Sequence, residues 1–130
     1  MSLTIASVNV NGIRAACKQR NELNLGMNEW LKETSADIVL MQEVRANPAQ
    51  TELALKPARE AGWHLAMADA LTPGAKGRAG VGILSRTPLT DVEIGFGSFL
   101  EAGRWIEATT AGVRVASLYL PSGDTNSPKL

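Results

Sequence analysis

The sequence predicts an α/β fold, a mixed β-sheet with helices on one face. Three observations carry this reading. Two short apolar runs, Leu3 to Val10 and Ile38 to Gln42, flank a segment of helical spacing, the pattern of two parallel strands joined by a helix. A second helical stretch follows. From Trp63 onward, β-rich runs alternate with glycine- and proline-bearing turns, which suits the antiparallel part of a mixed sheet.

Each element has its own signal. Leu3 to Val10 ends at Asn11-Gly12, a turn pair. From Leu23 to Thr34, the positions Leu23, Met27, Trp30 and Leu31 make one apolar helix face, with Glu22, Glu29, Lys32 and Glu33 outside it. Ile38 to Gln42 is too short for a helix and nearly all apolar, so it reads as a buried strand. Asn47-Pro48 is a helix start, Asn as N-cap and Pro at the first helical position. Pro57 interrupts that helix, and Gly62 ends the segment after it. Trp63 to Ala68 and Gly80 to Ser85 are strands, separated by the basic, glycine-bearing loop Thr72 to Ala79. Arg104 to Thr110 and Val113 to Leu120 flank Ala111-Gly112, a tight hairpin. Trp30, Trp63 and Trp105 read as packing residues.

The bulk numbers narrow the function little. The chain has 130 residues, 45% hydrophobic and 20% charged, with thirteen basic and thirteen acidic side chains. That is one domain or part of one, and global charge gives no argument for nucleic acid. Locally, Arg14, Lys18 and Arg20 share an acid-free stretch, as do Lys76, Arg78 and Arg86, with Asp91, Glu93 and Glu101 as counterweight. Such loops suit either a phosphate-facing edge or ordinary solvated surface. Cys17 is the single cysteine, so no disulfide framework exists and a reducing cytoplasm is the default setting. No membrane span and no signal peptide are legible. With His64 the only histidine, no Ser-His-Asp triad, Cys-His pair or His-rich zinc site can be assembled.

The chemistry concentrates at strand ends. Asn9-Val10-Asn11-Gly12-Ile13-Arg14 and Met41-Gln42-Glu43-Val44-Arg45 each close an apolar run with polar and ionisable residues. Oxygens from Asn9, Asn11 and Glu43 suit a hard cation such as Mg²⁺, and the adjacent arginines suit a phosphate. An uncompensated Glu43 at the end of a buried strand is costly, and either a metal or an arginine, Arg45 or Arg14, relieves it. Asn9 and Asn11 equally serve as turn formers. Tyr119 ends a strand at Pro121, where its phenol can reach a phosphate oxygen or simply stay half-buried with its hydroxyl wet. Arg104 opens the partner strand, placed either to brace Glu43 or Tyr119 or to pair with Glu101 or Glu107.

In this order the segments SVNVNGIRA (Ser7 to Ala15), DIVLMQEVR (Asp37 to Arg45), KGRAGVGILSR (Lys76 to Arg86), EAGRWIEA (Glu101 to Ala108) and LYLPSG (Leu118 to Gly123) resemble the exodeoxyribonuclease III type of abasic-site endonuclease, within the endonuclease/exonuclease/phosphatase superfamily. The resemblance implies that residues 1–130 are the N-terminal half of one such domain, half of a four-layer α/β sandwich. It implies metal-dependent phosphodiester hydrolysis at abasic sites and 3′ ends of duplex DNA. Glu43 would bind Mg²⁺ or Mn²⁺, with Asn9 and Asn11 completing or orienting the site, and Tyr119 would contact the scissile phosphate. Lys76, Gly77 and Arg78 would contact DNA, Arg14 and Arg45 would lie along the phosphate path, and Arg104 would support.

The family's second half supplies an Asp-x-Asn and a terminal Ser-Asp-His motif. After Tyr119 this chain has one aspartate, Asp124. The 130 residues alone are therefore expected to be inactive. They should also need the C-terminal half, or self-association, to cover an exposed sheet face. Two other readings are another phosphoesterase of the superfamily, acting on RNA, a phosphoinositide or a sphingolipid, and a non-catalytic DNA-binding or assembly module.

Overall fold

The computed structural model describes residues 2–68, 80–95 and 104–120. In chain order they form β1 (Ile5–Asn9), α1 (Ile13–Ala16), α2 (Met27–Glu33), β2 (Ile38–Gln42), α3 (Pro48–Ala54), α4 (Lys56–Glu60), β3 (His64–Ala68), β4 (Val81–Ser85), β5 (Thr90–Ile94), β6 (Trp105–Thr110) and β7 (Val113–Leu118). Two sheets result. The first has the order β1-β2-β4-β3, and the second the order β5-β6-β7. β1 and β2 run parallel, from Ile5 opposite Ile38 to Asn9 opposite Gln42, as the apolar runs predict. Every other pairing is antiparallel.

Alternation along the strands splits the core in two. On the helical side, Val39, Met41 and Leu84 pack with Ile13, Met27, Leu31, Leu55 and Trp63. On the other, Ile38, Val81, Ile83 and Ala68 meet Ile106, Ala108 and Val115 of the second sheet. The strands β2 and β4 are covered on both faces, which is why Ile38 to Gln42 reads as continuously apolar.

The second sheet corrects one expectation. The sheet face anticipated to be bare is covered from within the chain: β7 lies over β2 and β4, and β6 over β4 and β3. What stays open is the margin. β1 extends beyond this cover, leaving Ile5 46% exposed, and every residue of β5 faces solvent. Of the acidic counterweight, Glu93 lies 3.8 Å from Arg114, which also lies 3.5 Å from Glu107 and donates to the Asp91 main-chain carbonyl at 2.6 Å, while Glu101 lies outside the described residues.

Local signals fixed most boundaries. Asn47 accepts from the Gln50 amide at 2.7 Å while the Gln50 side chain accepts from the Asn47 amide at 3.1 Å, a reciprocal cap worth about 1 kcal/mol. The helix breaks at Leu55, two residues before Pro57, and Gly62 ends α4's overrun with φ 104°. Ala111 and Gly112, at φ 52° and 79°, make the two-residue turn between Thr110 and Val113.

One helix is shorter than its periodicity suggests. The expected Leu23 to Thr34 helix begins only at Met27. Asn21 Oδ1 accepts from the amides of Leu23 and Asn24, both at 2.8 Å, holding that stretch in a turn. Gly26 then adopts φ 93° with its α-carbon pressed on the Cys17 carbonyl, where an added Cβ would sit 2.8 Å away. Leu23 is consequently 98% exposed rather than part of the apolar face. Trp30 is 39% exposed beside Leu25, whereas Trp63 is buried.

Candidate active site

Because β1 and β2 are parallel and in register, their C-terminal ends finish side by side. The two chains leave the sheet together. Gly12 donates to the Glu43 carbonyl at 2.7 Å, Ile13 to the Val44 carbonyl at 2.9 Å, and Val44 to the Gly80 carbonyl at 2.9 Å. These bonds hold an unusual run of left-handed backbone: Asn11 at φ 47°, Gly12 at 94°, Glu43 at 53° and Arg45 at 53°.

The turn places Glu43 at the centre. Its side chain is only 13% exposed, and Asn9 Nδ2 donates to Oε1 at 2.7 Å. Oε2 is engaged by the Arg45 guanidinium. The Asn9 hydrogen bond, with Arg45 next, holds the Glu43 carboxyl below its ordinary value against the opposing effect of burial. Asn9 Oδ1 is turned away, accepting from the Asn11 amide at 3.0 Å. Asn9 thus orients Glu43 through its nitrogen, while Asn11 contributes its backbone amide and an exposed side chain. Arg14, also exposed, donates to the Arg45 carbonyl at 3.3 Å.

Glu43 is the residue at this turn that could hold a divalent cation. Glu43 is held ionised at a rim, and a carboxylate with both oxygens engaged still has free lone pairs. Among the described residues no three His, Cys, Asp or Glu side chains gather, so this part of the chain offers no ready-made cluster of ligands beside Glu43. Mg²⁺ accepts such a site, since it keeps several waters and commonly takes one or two carboxylates.

Tyr119 follows the last residue of β7, the strand of the second sheet that is hydrogen-bonded to the end of β2. β7 runs so that Ser117 meets the end of β2: its hydroxyl donates to the Met41 carbonyl at 2.7 Å and accepts from Gln42 Nε2 at 3.2 Å. Two residues on, Tyr119 packs against the inter-sheet core, and its amide donates to the Arg104 carbonyl at 2.9 Å. The Arg104 guanidinium lies 5.8 Å from the Tyr119 ring centroid, and its buried Nη1 has no hydrogen-bond partner among the described residues. Of the alternatives for Arg104, the described residues place its guanidinium against the Tyr119 ring and pair Glu107 with Arg114, while Glu101 lies outside the described residues.

Arg86 departs from the phosphate-facing reading of the basic stretches. β4 is antiparallel to β2, so Arg86 follows Ser85 at the end opposite Glu43. There it donates to the carbonyls of Ala36 at 2.9 Å and Thr34 at 2.7 Å and stacks 4.4 Å over Trp63. Lys76, Gly77 and Arg78 lie outside the described residues. Sequence reasoning missed Gln42 and Ser117. Their only signal was a polar residue at a sheet-facing position of an otherwise apolar strand.

Fold and rim together define a layered α/β domain with an ionised carboxylate, amides and guanidinium groups at one sheet edge. The Endonuclease/Exonuclease/phosphatase family profile matches residues 6–124, and the chain belongs to that family. Among solved structures it is similar to an AP endonuclease from Archaeoglobus fulgidus, at 33% identity and TM-score 0.74, over 92% of this chain and 42% of that one. It is similar also to the 3′-5′ exonuclease NExo from Neisseria meningitidis, at 28% identity and TM-score 0.74, over 98% of this chain and 45% of that one. A third is the Neisseria 3′ phosphatase NExo (D146N) bound to product DNA hairpin, at 26% identity and TM-score 0.71, over 91% and 41%. The chain thus spans less than half the length of these structures. No curated protein matches it. Among the described residues no helix is long and apolar enough to cross a membrane.

Proposed function

We propose that the chain forms the N-terminal half of a divalent-metal-dependent DNA phosphoesterase, acting in the cytoplasm on abasic sites and 3′ ends of duplex DNA. The observation that carries this reading is the Glu43 carboxylate, held ionised by Asn9 where two parallel strands end. The similarity to an AP endonuclease and to a 3′-5′ exonuclease and 3′ phosphatase supports the substrate class.

Glu43 would hold Mg²⁺ or Mn²⁺, which supplies neutralisation of phosphate charge and of the leaving oxygen. Asn9 keeps the carboxylate deprotonated and oriented, and Asn11 fixes Asn9 through its amide. The Tyr119 phenol donates a hydrogen bond to a non-bridging phosphate oxygen, with Arg104 bracing its ring. Arg14 and Arg45 add cationic guanidinium groups along the phosphate path, and Lys76, Gly77 and Arg78 extend the DNA contact. An abasic nucleotide is the cheapest to unstack, since no base is paired there. The chain by itself binds metal and DNA without turnover, because the group that activates water comes from the other half.

Calorimetric titration of Mn²⁺ into the chain tests this. Glu43→Gln should weaken binding at least tenfold, and duplex DNA with an abasic site should bind more tightly than inositol phosphates. Equal Mn²⁺ affinity in the variant would sink the metal role. Preference for the inositol phosphates would move the chain to a different branch of the family.

A further inference from the structure

Two side chains that the proposed mechanism does not use join the strand leading into Glu43 to the strand leading into Tyr119. Gln42 immediately precedes Glu43, and Ser117, near the end of β7, stands two residues before Tyr119. The Gln42 amide nitrogen lies 3.1 Å from the Leu40 carbonyl, 3.1 Å from Ser7 Oγ and 3.2 Å from Ser117 Oγ. Ser117, 1% exposed, returns a 2.7 Å hydrogen bond to the Met41 carbonyl. The bonds join β1, β2 and β7 at the end of β2, one residue before Glu43 on one strand and two before Tyr119 on the other.

We infer that Gln42 and Ser117 are positioning residues, an inter-sheet pin that sets the Tyr119 phenol against the Glu43 carboxylate. The inference rests on the proposed phosphoesterase site. Most of the remaining contact between the sheets is apolar, and such contacts are non-directional and tolerate sliding. A directional bond to a main-chain carbonyl of β2 does not. A phosphate contact made by one sheet and a cation held by the other need that distance held to within a fraction of an ångström.

The opposing explanation is that Gln42 and Ser117 merely satisfy each other, as buried polar groups do. The molecule contains its own control. At the far end of the same interface, Ser85 Oγ lies 2.7 Å from Thr110 Oγ1, which lies 2.8 Å from Thr87 Oγ1. Ser85→Ala therefore deletes a buried inter-sheet hydroxyl of the same kind, away from Glu43 and Tyr119.

Tyr119 is the only tyrosine, so 3-fluorotyrosine incorporation gives a single ¹⁹F reporter at the site. The experiment compares Ser117→Ala, Gln42→Met, Ser117→Thr and Ser85→Ala, with thermal midpoints measured alongside. Ser117→Ala and Gln42→Met should shift and broaden the ¹⁹F line through exchange among ring positions, and Ser117→Thr should restore it by keeping the hydroxyl. Ser85→Ala should lower the midpoint comparably and leave the line unchanged. With Mn²⁺ bound, Ser117→Ala should also cut the paramagnetic broadening of Tyr119 several-fold at unchanged Mn²⁺ affinity. An unmoved ¹⁹F line in Ser117→Ala and Gln42→Met overturns the pin, as does an equal change in Ser85→Ala. Absence of Mn²⁺ binding in the unmodified chain instead overturns the metal site, and the metal-free spectra still decide the pin.

Discussion

Asn9→Ala isolates the interaction that keeps Glu43 charged. The lost bond is a 2.7 Å donation to a carboxylate whose side chain is 13% exposed. A hydrogen bond to a charged group contributes about 1.5–3 kcal/mol, and relaxation toward the open rim lets water recover part of it, leaving a net loss of about 1–2 kcal/mol at neutral pH. Asn9 Oδ1 also accepts from the Asn11 amide, so some of that loss belongs to the turn. A double-mutant cycle of Asn9→Ala with Glu43→Gln removes the shared part and should leave a coupling of about 1 kcal/mol.

The pH dependence gives the sign. Glu43 has its folded pKa lowered from the ordinary value of 4.5, first by Asn9. Its ionisation therefore stabilises the fold above that value, and the stability is lost as pH falls through the folded pKa. Urea unfolding of both singles and the double at pH 7 and at a pH below 4.5 measures the cycle. Coupling near zero at pH 7, or coupling that grows on acidification, would refute the reasoning.

Three further outcomes rest on the same kind of contact. Arg45→Gln should reduce the salt dependence of DNA binding by about one counterion, as for a lost phosphate contact, while leaving Mn²⁺ affinity equal or higher because a competing cation is gone; filter binding across a salt series and Mn²⁺ titration read both. Cys17, its thiol pushed up to about 11 by burial, should react with iodoacetamide at neutral pH about 100-fold more slowly than in the urea-unfolded chain. Gly26→Ala should cost about 2–3 kcal/mol, because φ is 93° and the Cβ would lie 2.8 Å from the Cys17 carbonyl, whereas Gly62→Ala, with open space around it, should cost about 1 kcal/mol; equal losses in thermal denaturation would contradict that account.

The parts of the fold legible in the sequence are those written in neighbouring residues. Asn47 with Pro48 caps a helix, and Ala111-Gly112 closes a hairpin, because each signal and its partner lie within four residues. The parallel pairing of β1 and β2 was legible for a different reason: two apolar runs joined through a helix have few alternatives. The helix over Leu23 to Thr34 was overread because apolar spacing is blind to Asn21, whose side chain holds the incoming chain in a turn. Proximity in sequence groups Arg86 with Lys76 and Arg78, yet strand reversal carries Arg86 to the end of the sheet opposite Glu43. The Gln42–Ser117 contact spans 75 residues and the Ser117–Met41 contact 76, and no local pattern encodes either.

The rim's backbone shows why the site residues sit where they do. Asn11, Glu43 and Arg45 all hold positive φ, a conformation costing non-glycine residues of order 1 kcal/mol or more each. Asn tolerates it, and Glu and Arg do not choose it for their own sake. The strain persists because the Gly12, Ile13 and Val44 amides are tied to carbonyls across the gap. A relaxed strand end would send Glu43 on along the alternating pleat. The left-handed step brings its carboxylate instead to Asn9 on the neighbouring strand, the contact that lowers its pKa. Glu43→Gly therefore separates the two contributions: it should recover strain at this position while abolishing Mn²⁺ binding. A stability gain or near-neutral change in urea unfolding, together with lost metal affinity, is the expected pair. A loss above about 2 kcal/mol would mean that the carboxylate's bonds to Asn9 and Arg45 outweigh the strain they accompany.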